Sequence, residues 1–196
     1  MAYSSDGKQL ASSSGDGTIR LWDLTTGQQL RQLPGHAGAV YAVRFSADAN
    51  QLVSTGADGT VRQWNAADGA ELRKLIVAAA DGDKPPALFD FALSANGQSV
   101  AAAGQDNQIR LWNLTDGQPL KPLVAPDAVY RRECLASGQL LTCGRSGSLT
   151  ILNPADGAQV FTTKVAGVPF SATLLPALKR AAVPCADGKT YFVALP

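Results

Sequence analysis

Residues 15–28, GDGTIRLWDLTTGQ, join a tight polar turn, an alternating strand and a second polar turn in one short run. The run is written twice more, as ADGTVRQWNAADGA from Ala57 and as QDNQIRLWNLTDGQ from Gln105. Ile19 and Leu21 alternate with Thr18, Arg20 and Trp22, the period of two that sends successive side chains to opposite faces of a strand. Val61 and Gln63 against Arg62 and Trp64, and Ile109 and Leu111 against Arg110 and Trp112, keep the same scheme. Large groups fall on both faces, which predicts strands covered on both sides.

Measured at the turn, Asp16, Asp58, Asp106, Ser146 and Asp187 are 42, 48, 40 and 41 residues apart. Six residues further on stand Trp22, Trp64, Trp112, Leu152 and Val193, so five units share one phase and the pattern fades toward the C-terminus. The longer gap holds VAAADGDKPPA at 77–87, whose glycine and paired prolines mark an exposed connection. A strand is expected before each turn, at Gln9–Ser13, Gln51–Thr55, Ser99–Ala103, Gln139–Cys143 and Arg180–Pro184. Gly and Asp in the turn tolerate the φ > 0 backbone of tight hairpins. Ala39–Phe45 and Ala87–Leu93 supply an earlier strand, and Gly69–Ile76 and Gln118–Val124 a later one. Ala128–Ala136 is ambiguous, because VYRREC alternates badly.

The unit is therefore a four-stranded antiparallel meander of about forty residues, too small to bury both of its faces alone. Copies stacked face to face can do so, and radial stacking gives a β-propeller. The predicted architecture is all-β: one propeller segment over 1–196, with blades near 1–34, 35–77, 84–125, 126–165 and 166–196. The first and last are expected to be incomplete, blade one starting at its second strand and blade five holding three.

Composition limits the function classes. Charged residues make up 17% of the chain and the net charge is +1 without a Lys/Arg cluster, so no footprint for nucleic acid or an anionic membrane is predicted. The apolar run LIVAAA at 75–80 is too short to span a bilayer, and MAYSSDGKQL has no signal-peptide pattern. Cys134, Cys143 and Cys185 match no zinc or haem spacing, which favours reduced thiols in the cytoplasm. A signal peptide on a longer chain would leave no trace in this stretch.

Gly35-His36 followed by Trp64-Asn65, the literal Trp22-Asp23, and the strand-ending Phe45-Ser46-Ala47-Asp48 and Tyr3-Ser4-Ser5-Asp6-Gly7 together resemble the WD40 repeat family. The likeness is strong over residues 1–125 and thin beyond. It implies that His36, Ser54, Asp58 and Trp64 form the hydrogen-bonded chain that holds such a blade together. Physically, an Asp accepting from the imidazole would fix its tautomer, leaving the other ring nitrogen for the hydroxyl, which can reach the indole N–H. Blade three has Ala102 in place of the hydroxyl, so its chain is broken.

His36 is the one histidine and the obvious candidate base or ligand, but no second convergent polar group accompanies it, and no catalytic residue, cofactor or metal site is predicted. Asp81-Gly82-Asp83 lacks the ligand spacing of a calcium loop. Arg20, Arg62 and Arg110, each two residues before a Trp, are expected to stack on indole, with an anion-binding stripe as the alternative. The family resemblance also implies a partner-binding rim where blade entries and Asp turns emerge together. By phase this rim holds Tyr41, Ala57, Phe89, Gln105 and Arg145. Tyr41 and Phe89 have a second reading, packing inward from the innermost strand.

The expected role is a non-catalytic scaffold for protein–protein contacts. An open arc would leave apolar blade faces in water, so the reading includes a piece of a longer propeller or self-association through those faces. The alternatives are a propeller attached to a kinase- or oxidoreductase-type catalytic domain and one holding a small ligand in its axial channel.

Overall fold

The structure is a computed structural model that describes the chain apart from residues 78–83, 95, 107, 121–122, 125–128, 135–139, 145, 154–157, 171, 176–177 and 196. The described residues form strands and turns without an α-helix. They fall into two compact units, Met1–Phe89 and Asp90–Pro196.

The first unit contains two four-stranded antiparallel sheets in simple meander order. Sheet 1 is β1 (Ala2–Tyr3), β2 (Gln9–Ser13), β3 (Thr18–Asp23) and β4 (Gln29–Pro34). Sheet 2 is β5 (Val40–Phe45), β6 (Gln51–Gly56), β7 (Thr60–Asn65) and β8 (Glu71–Ile76). Sheet 1 corrects the expectation that blade one begins at its second strand. Two residues are enough for an innermost strand, with Ala2 opposite Ala11 and Tyr3 opposite Leu10. Ala11, Ile19, Leu21 and Leu33 of sheet 1 pack on Val43, Leu52 and Trp64 of sheet 2 in one fully buried cluster. One face of the alternating strand thus meets the opposite face of its neighbour's, which is why both faces are apolar.

The turns follow from short polar side chains. Ser4 and Ser46 donate to Asp6 and Asp48 two residues on, and the same seryl oxygens accept the N–H of Gln9 and Gln51, closing the hairpin between first and second strands. After the Trp, Asp23 accepts the N–H of Thr25 and Thr26, and Asn65 that of Ala67. Either side chain makes this turn, so Trp-Asp and Trp-Asn serve alike.

The second unit carries three sheets. Strand β9 (Leu88–Leu93) begins at the join and leads into β10 (Ser99–Gly104), β11 (Gln108–Asn113) and the short β12 (Leu123–Val124). Of the later strand expected over Gln118–Val124, the described residues show a Trp112–Pro119 bridge and this two-residue piece. Sheet 4 is β13 (Val129–Cys134), β14 (Leu140–Gly144), β15 (Ser148–Leu152) and β16 (Gln159–Lys164). Sheet 5 has three strands, β17 (Thr173–Leu175), β18 (Arg180–Pro184) and β19 (Thr190–Ala194). Ala101, Ala103, Ile109 and Leu111 pack on Leu140 and Leu152, and Leu141, Cys143, Leu149 and Ile151 on Ala181, Val183 and Cys185. Cys143 and Cys185 are buried thiols outside any disulfide, and burial pushes that of Cys185 up. The side chain of Cys134 lies outside the described residues.

Candidate functional site

The chain passes from sheet 1 to sheet 2 through Gly35-His36, and two glycines decide where the imidazole goes. A Cβ on Gly35 would come within 2.8 Å of the Trp64 ring and 2.9 Å of the Arg62 guanidinium, so only glycine lets the connection lie across the blade. A Cβ on Gly56 would stand 2.9 Å from His36 Nδ1 and 2.7 Å from the Ala39 carbonyl oxygen. The bare backbone of Gly56 is the slot into which the ring descends.

The structure brings His36, Ser54, Asp58 and Trp64 together. The Trp64 indole N–H donates to Ser54 Oγ at 2.9 Å, Ser54 Oγ lies 2.8 Å from His36 Nε2, and His36 Nδ1 lies 2.9 Å from Asp58 Oδ1. Burial, the largest influence, pulls the imidazole's proton affinity below its ordinary value of 6.5, against the opposing pull of Asp58. The ring is therefore neutral at pH 7, with its proton on Nδ1 facing the carboxylate, and Nε2 accepts from the seryl hydroxyl. Every donor in the chain points the same way, from indole to carboxylate.

Asp58 is the sink. Burial would raise its carboxyl, but donation from His36, the Ala37 N–H and the Thr60 hydroxyl outweighs it and holds the group well below the usual carboxylate range. Arg62 adds an Nη2 contact at 3.3 Å, donates from Nε to Thr60 and pairs with Glu71 through Nη1. The turn carboxylates are thus ion-pair partners of the arginines, a pairing that the expected stacking on indole did not include. Arg20 pairs with Asp16 and Arg110 with Asp106, in both cases at i,i+4. Asp187 has no Arg four residues on. Tyr191 occupies that place and donates to Asp187 Oδ2 at 2.7 Å. The sequence reading missed this substitution, although the offset of four from the turn Asp carries it.

Chemically, this arrangement orients and holds. Both ring nitrogens of His36 have partners, and the side chain is fully enclosed, at 0% exposure, whereas a general base must reach a substrate proton. Among the described residues no three His, Cys, Asp or Glu side chains converge as metal ligands would.

The residues expected at the rim sit elsewhere. Tyr41 and Phe89 are 47% and 42% exposed, and their rings meet edge to face with centroids 5.5 Å apart at 67°. Tyr41 owes its aim to a β-bulge: Val40 faces Gly56 and Ala42 faces Thr55, leaving Tyr41 as the extra residue. Ala57 is half-buried in the adjoining turn, its N–H donating to the Ala39 carbonyl at 2.8 Å. Gln105, in the second unit, is exposed in the equivalent turn. Arg145 lies outside the described residues, as do Asp81-Gly82-Asp83. The bulge recurs in β13, where Val129 faces Gly144 and Arg131 faces Cys143, making Tyr130 the counterpart of Tyr41. The repeated triplets Ala39-Val40-Tyr41, Ala87-Leu88-Phe89 and Ala128-Val129-Tyr130 carry this likeness of backbone register in the sequence.

Four-stranded meanders repeated every forty or so residues, with an Asp turn before a core Trp and a polar chain behind it, define a repeat protein built from propeller-type blades. The chain belongs to the WD40 family: the model of the WD domain, G-beta repeat, matches residues 1–23, 27–65 and 74–113, just over half of its length. Among individual proteins, it is 53% identical over 38 residues to Protein Notchless of Drosophila melanogaster, a match covering 19% of this chain and 8% of that protein. It is 54% identical over 39 residues to Mitochondrial division protein 1 of Malassezia globosa, covering 20% and 6%. The protein of that name from Mycosarcoma maydis is 51% identical over 39 residues, covering 20% and 5%. The chain thus matches less than a tenth of the length of these relatives.

Proposed function

We propose that the chain is a non-catalytic scaffold that binds a protein partner through its Asp-turn rim, with Tyr41 and Phe89 as the anchors in the first unit. The observation that carries this reading is the exposed aromatic pair, 5.5 Å apart, with one ring re-aimed by a bulge. Large aromatic groups held in place by strands lose little entropy on docking and are the residue types that dominate interface energies. Ala57 would contribute an adjoining contact, and in the second unit Gln105 and Arg145 are the proposed contact residues of their own Asp turns. Family membership and the repeat-protein relatives support the scaffold role. The enclosed His36 supports a structural use of the one residue that sequence alone would have nominated for chemistry. The buried thiols Cys143 and Cys185 fit a reducing, cytoplasm-like setting.

The test is partner recovery from a lysate with the wild-type chain and a Tyr41→Ala/Phe89→Ala variant. Both side chains are half exposed, so the variant should keep its thermal midpoint within a few degrees and lose the partner. Equal recovery by both chains would remove the rim assignment.

A further inference from the structure

The turns between first and second strands share one plan in three sheets, with one residue type changed. In sheet 1 the Ser4 hydroxyl donates to Asp6 Oδ1 at 2.6 Å, and the Lys8 N–H to the same oxygen at 3.0 Å. In sheet 2 the Ser46 hydroxyl and the Asn50 N–H serve Asp48 in the same way, at 2.5 and 3.1 Å. Between β9 and β10 the acceptor is instead the amide of Asn96. Ser94 Oγ donates to its Oδ1 at 2.7 Å and the Gln98 N–H at 3.1 Å.

The residue that follows is Gly97. The chain's other asparagines precede Gln51, Ala66, Gln108, Leu114 and Pro154, so Asn96-Gly97 is its single Asn-Gly pair. A side chain on the following residue crowds the attack of its backbone nitrogen on the asparagine Cγ, and proline has no N–H to lose. Glycine presents neither obstacle. Asn96 is exposed, and a Cβ on Gly97 would meet nothing within 4 Å, so water and hydroxide reach the pair from an open side. The two donors on Oδ1 sit on the atom that gains negative charge when Cγ is attacked. The Gly97 N–H is bonded to the Ser94 carbonyl at 2.9 Å, a contact that the reaction must give up.

We propose that Asn96 is a site of spontaneous deamidation, where the turn passes from its amide form to the carboxylate form of sheets 1 and 2. Hydroxide takes the proton of the Gly97 N–H, and the nitrogen bonds to Asn96 Cγ. The Cγ–Nδ2 bond breaks, and Nδ2 leaves as ammonia with a proton from water. Water then opens the resulting succinimide ring at one of two bonds. Cleavage between Cγ and the Gly97 nitrogen gives aspartate on the original main chain. Cleavage between that nitrogen and the carbonyl carbon of residue 96 gives isoaspartate, whose main chain runs through Cγ. Neither step changes an oxidation state.

The turn is built to hold the first product. In sheet 2 the Asn50 amide, two residues beyond Asp48, donates to Asp48 Oδ2 at 3.0 Å. Gln98 holds the same place after residue 96, where its Oε1 accepts from Asn96 Nδ2 at 3.1 Å. Turning the Gln98 amide over converts it into a donor to the new carboxylate. Isoaspartate lengthens the main chain by one carbon, which sets the Gly97–Ser94 bond against the bonds to the side-chain oxygen.

The test is prolonged incubation of the whole chain at neutral and at mildly alkaline pH, followed by anion exchange and peptide mass mapping, with Asn96→Asp as the standard. The amide-to-acid mass gain should appear first in the peptide holding Asn96, at a rate proportional to hydroxide. The acidic species that co-elutes with Asn96→Asp should melt no lower than the wild type. The isoaspartyl species, which resists cleavage by an aspartate-specific protease, should melt lower. An amide that survives at residue 96 through the alkaline incubation, or that outlasts another asparagine, overturns the site. So does a rate indifferent to hydroxide. An Asn96→Asp variant that melts well below the wild type overturns the match between turn and product.

Discussion

Sheets 2 and 4 are the same meander built with different interiors. In sheet 2 the turn Asp58, Ser54 and Trp64 are tied to His36 by an unbroken run of donors. In sheet 4 the corresponding places hold Ser146, Thr142 and Leu152. There the Thr142 hydroxyl donates to the Thr150 carbonyl at 3.2 Å, and β14 and β15 are buried at every position. Strand order and register are nonetheless equivalent. What the two share is alternation and a turn glycine under the following connection. A Cβ on Gly59 would meet Pro85, and one on Gly147 would meet the Val165 carbonyl. Both glycines have positive φ, 67° and 85°. Topology comes from these shared features, and the polar chain adds a local tie on top of them.

The largest contrast is expected at the aromatic. Trp64→Ala should cost ~3–5 kcal/mol, the usual range for truncating a buried Trp. Trp22, whose indole bonds Ser12 but which is only half-buried, should lose clearly less by the same change. Calorimetric midpoints compare the two directly, and equal losses would break the link between enclosure and stability. Next comes the hydroxyl. Ser54→Ala strands the Trp64 N–H and His36 Nε2 together and should cost about 1–3 kcal/mol, whereas Thr142→Val frees one backbone carbonyl and should cost less than about 1 kcal/mol. Urea midpoints for the pair would settle the order.

Acid offers a subtler test. The folded His36 binds its proton more weakly than the unfolded residue, whose ordinary value is 6.5. Its contribution is thus complete above pH 6.5 and declines as the pH falls toward the folded value, because the unfolded chain takes up the proton first. Asp58, held low in the fold, adds a second decline below its ordinary 3.8. A His36→Gln variant should lose the upper step of the stability–pH curve and keep a loss at lower pH. An unchanged slope between pH 6.5 and 5 would show that another group titrates there. The smallest effect belongs to Gly15, which has open space around it. Gly15→Ala should move stability by no more than about 0.5 kcal/mol, while Gly147→Ala, with a Cβ 2.4 Å from a carbonyl oxygen, should be plainly destabilised.

The period, the strand pairs and the His36 constellation were legible because each rests on spacing, and spacing survives in a sequence. Three features were not. VYRREC read poorly as a strand because the bulge at Tyr130 shifts the alternation by one residue partway along. The arginines were assigned to indole rings because they share a face with the Trp. The second attraction, a carboxylate four residues back across a tight turn, becomes visible only when the hairpin is closed. The Ala2–Tyr3 strand was missed because so short a segment has no periodicity to read and is held by its neighbour β2.

The central claim is that His36 is a neutral structural link whose proton sits on Nδ1, facing Asp58. Long-range proton–nitrogen correlation spectra of the labelled chain report this directly. The account predicts a protonated Nδ1, a bare Nε2 and little change as the pH is lowered through 6.5. An Nε2-protonated ring, or an imidazolium forming with an ordinary midpoint, would contradict it.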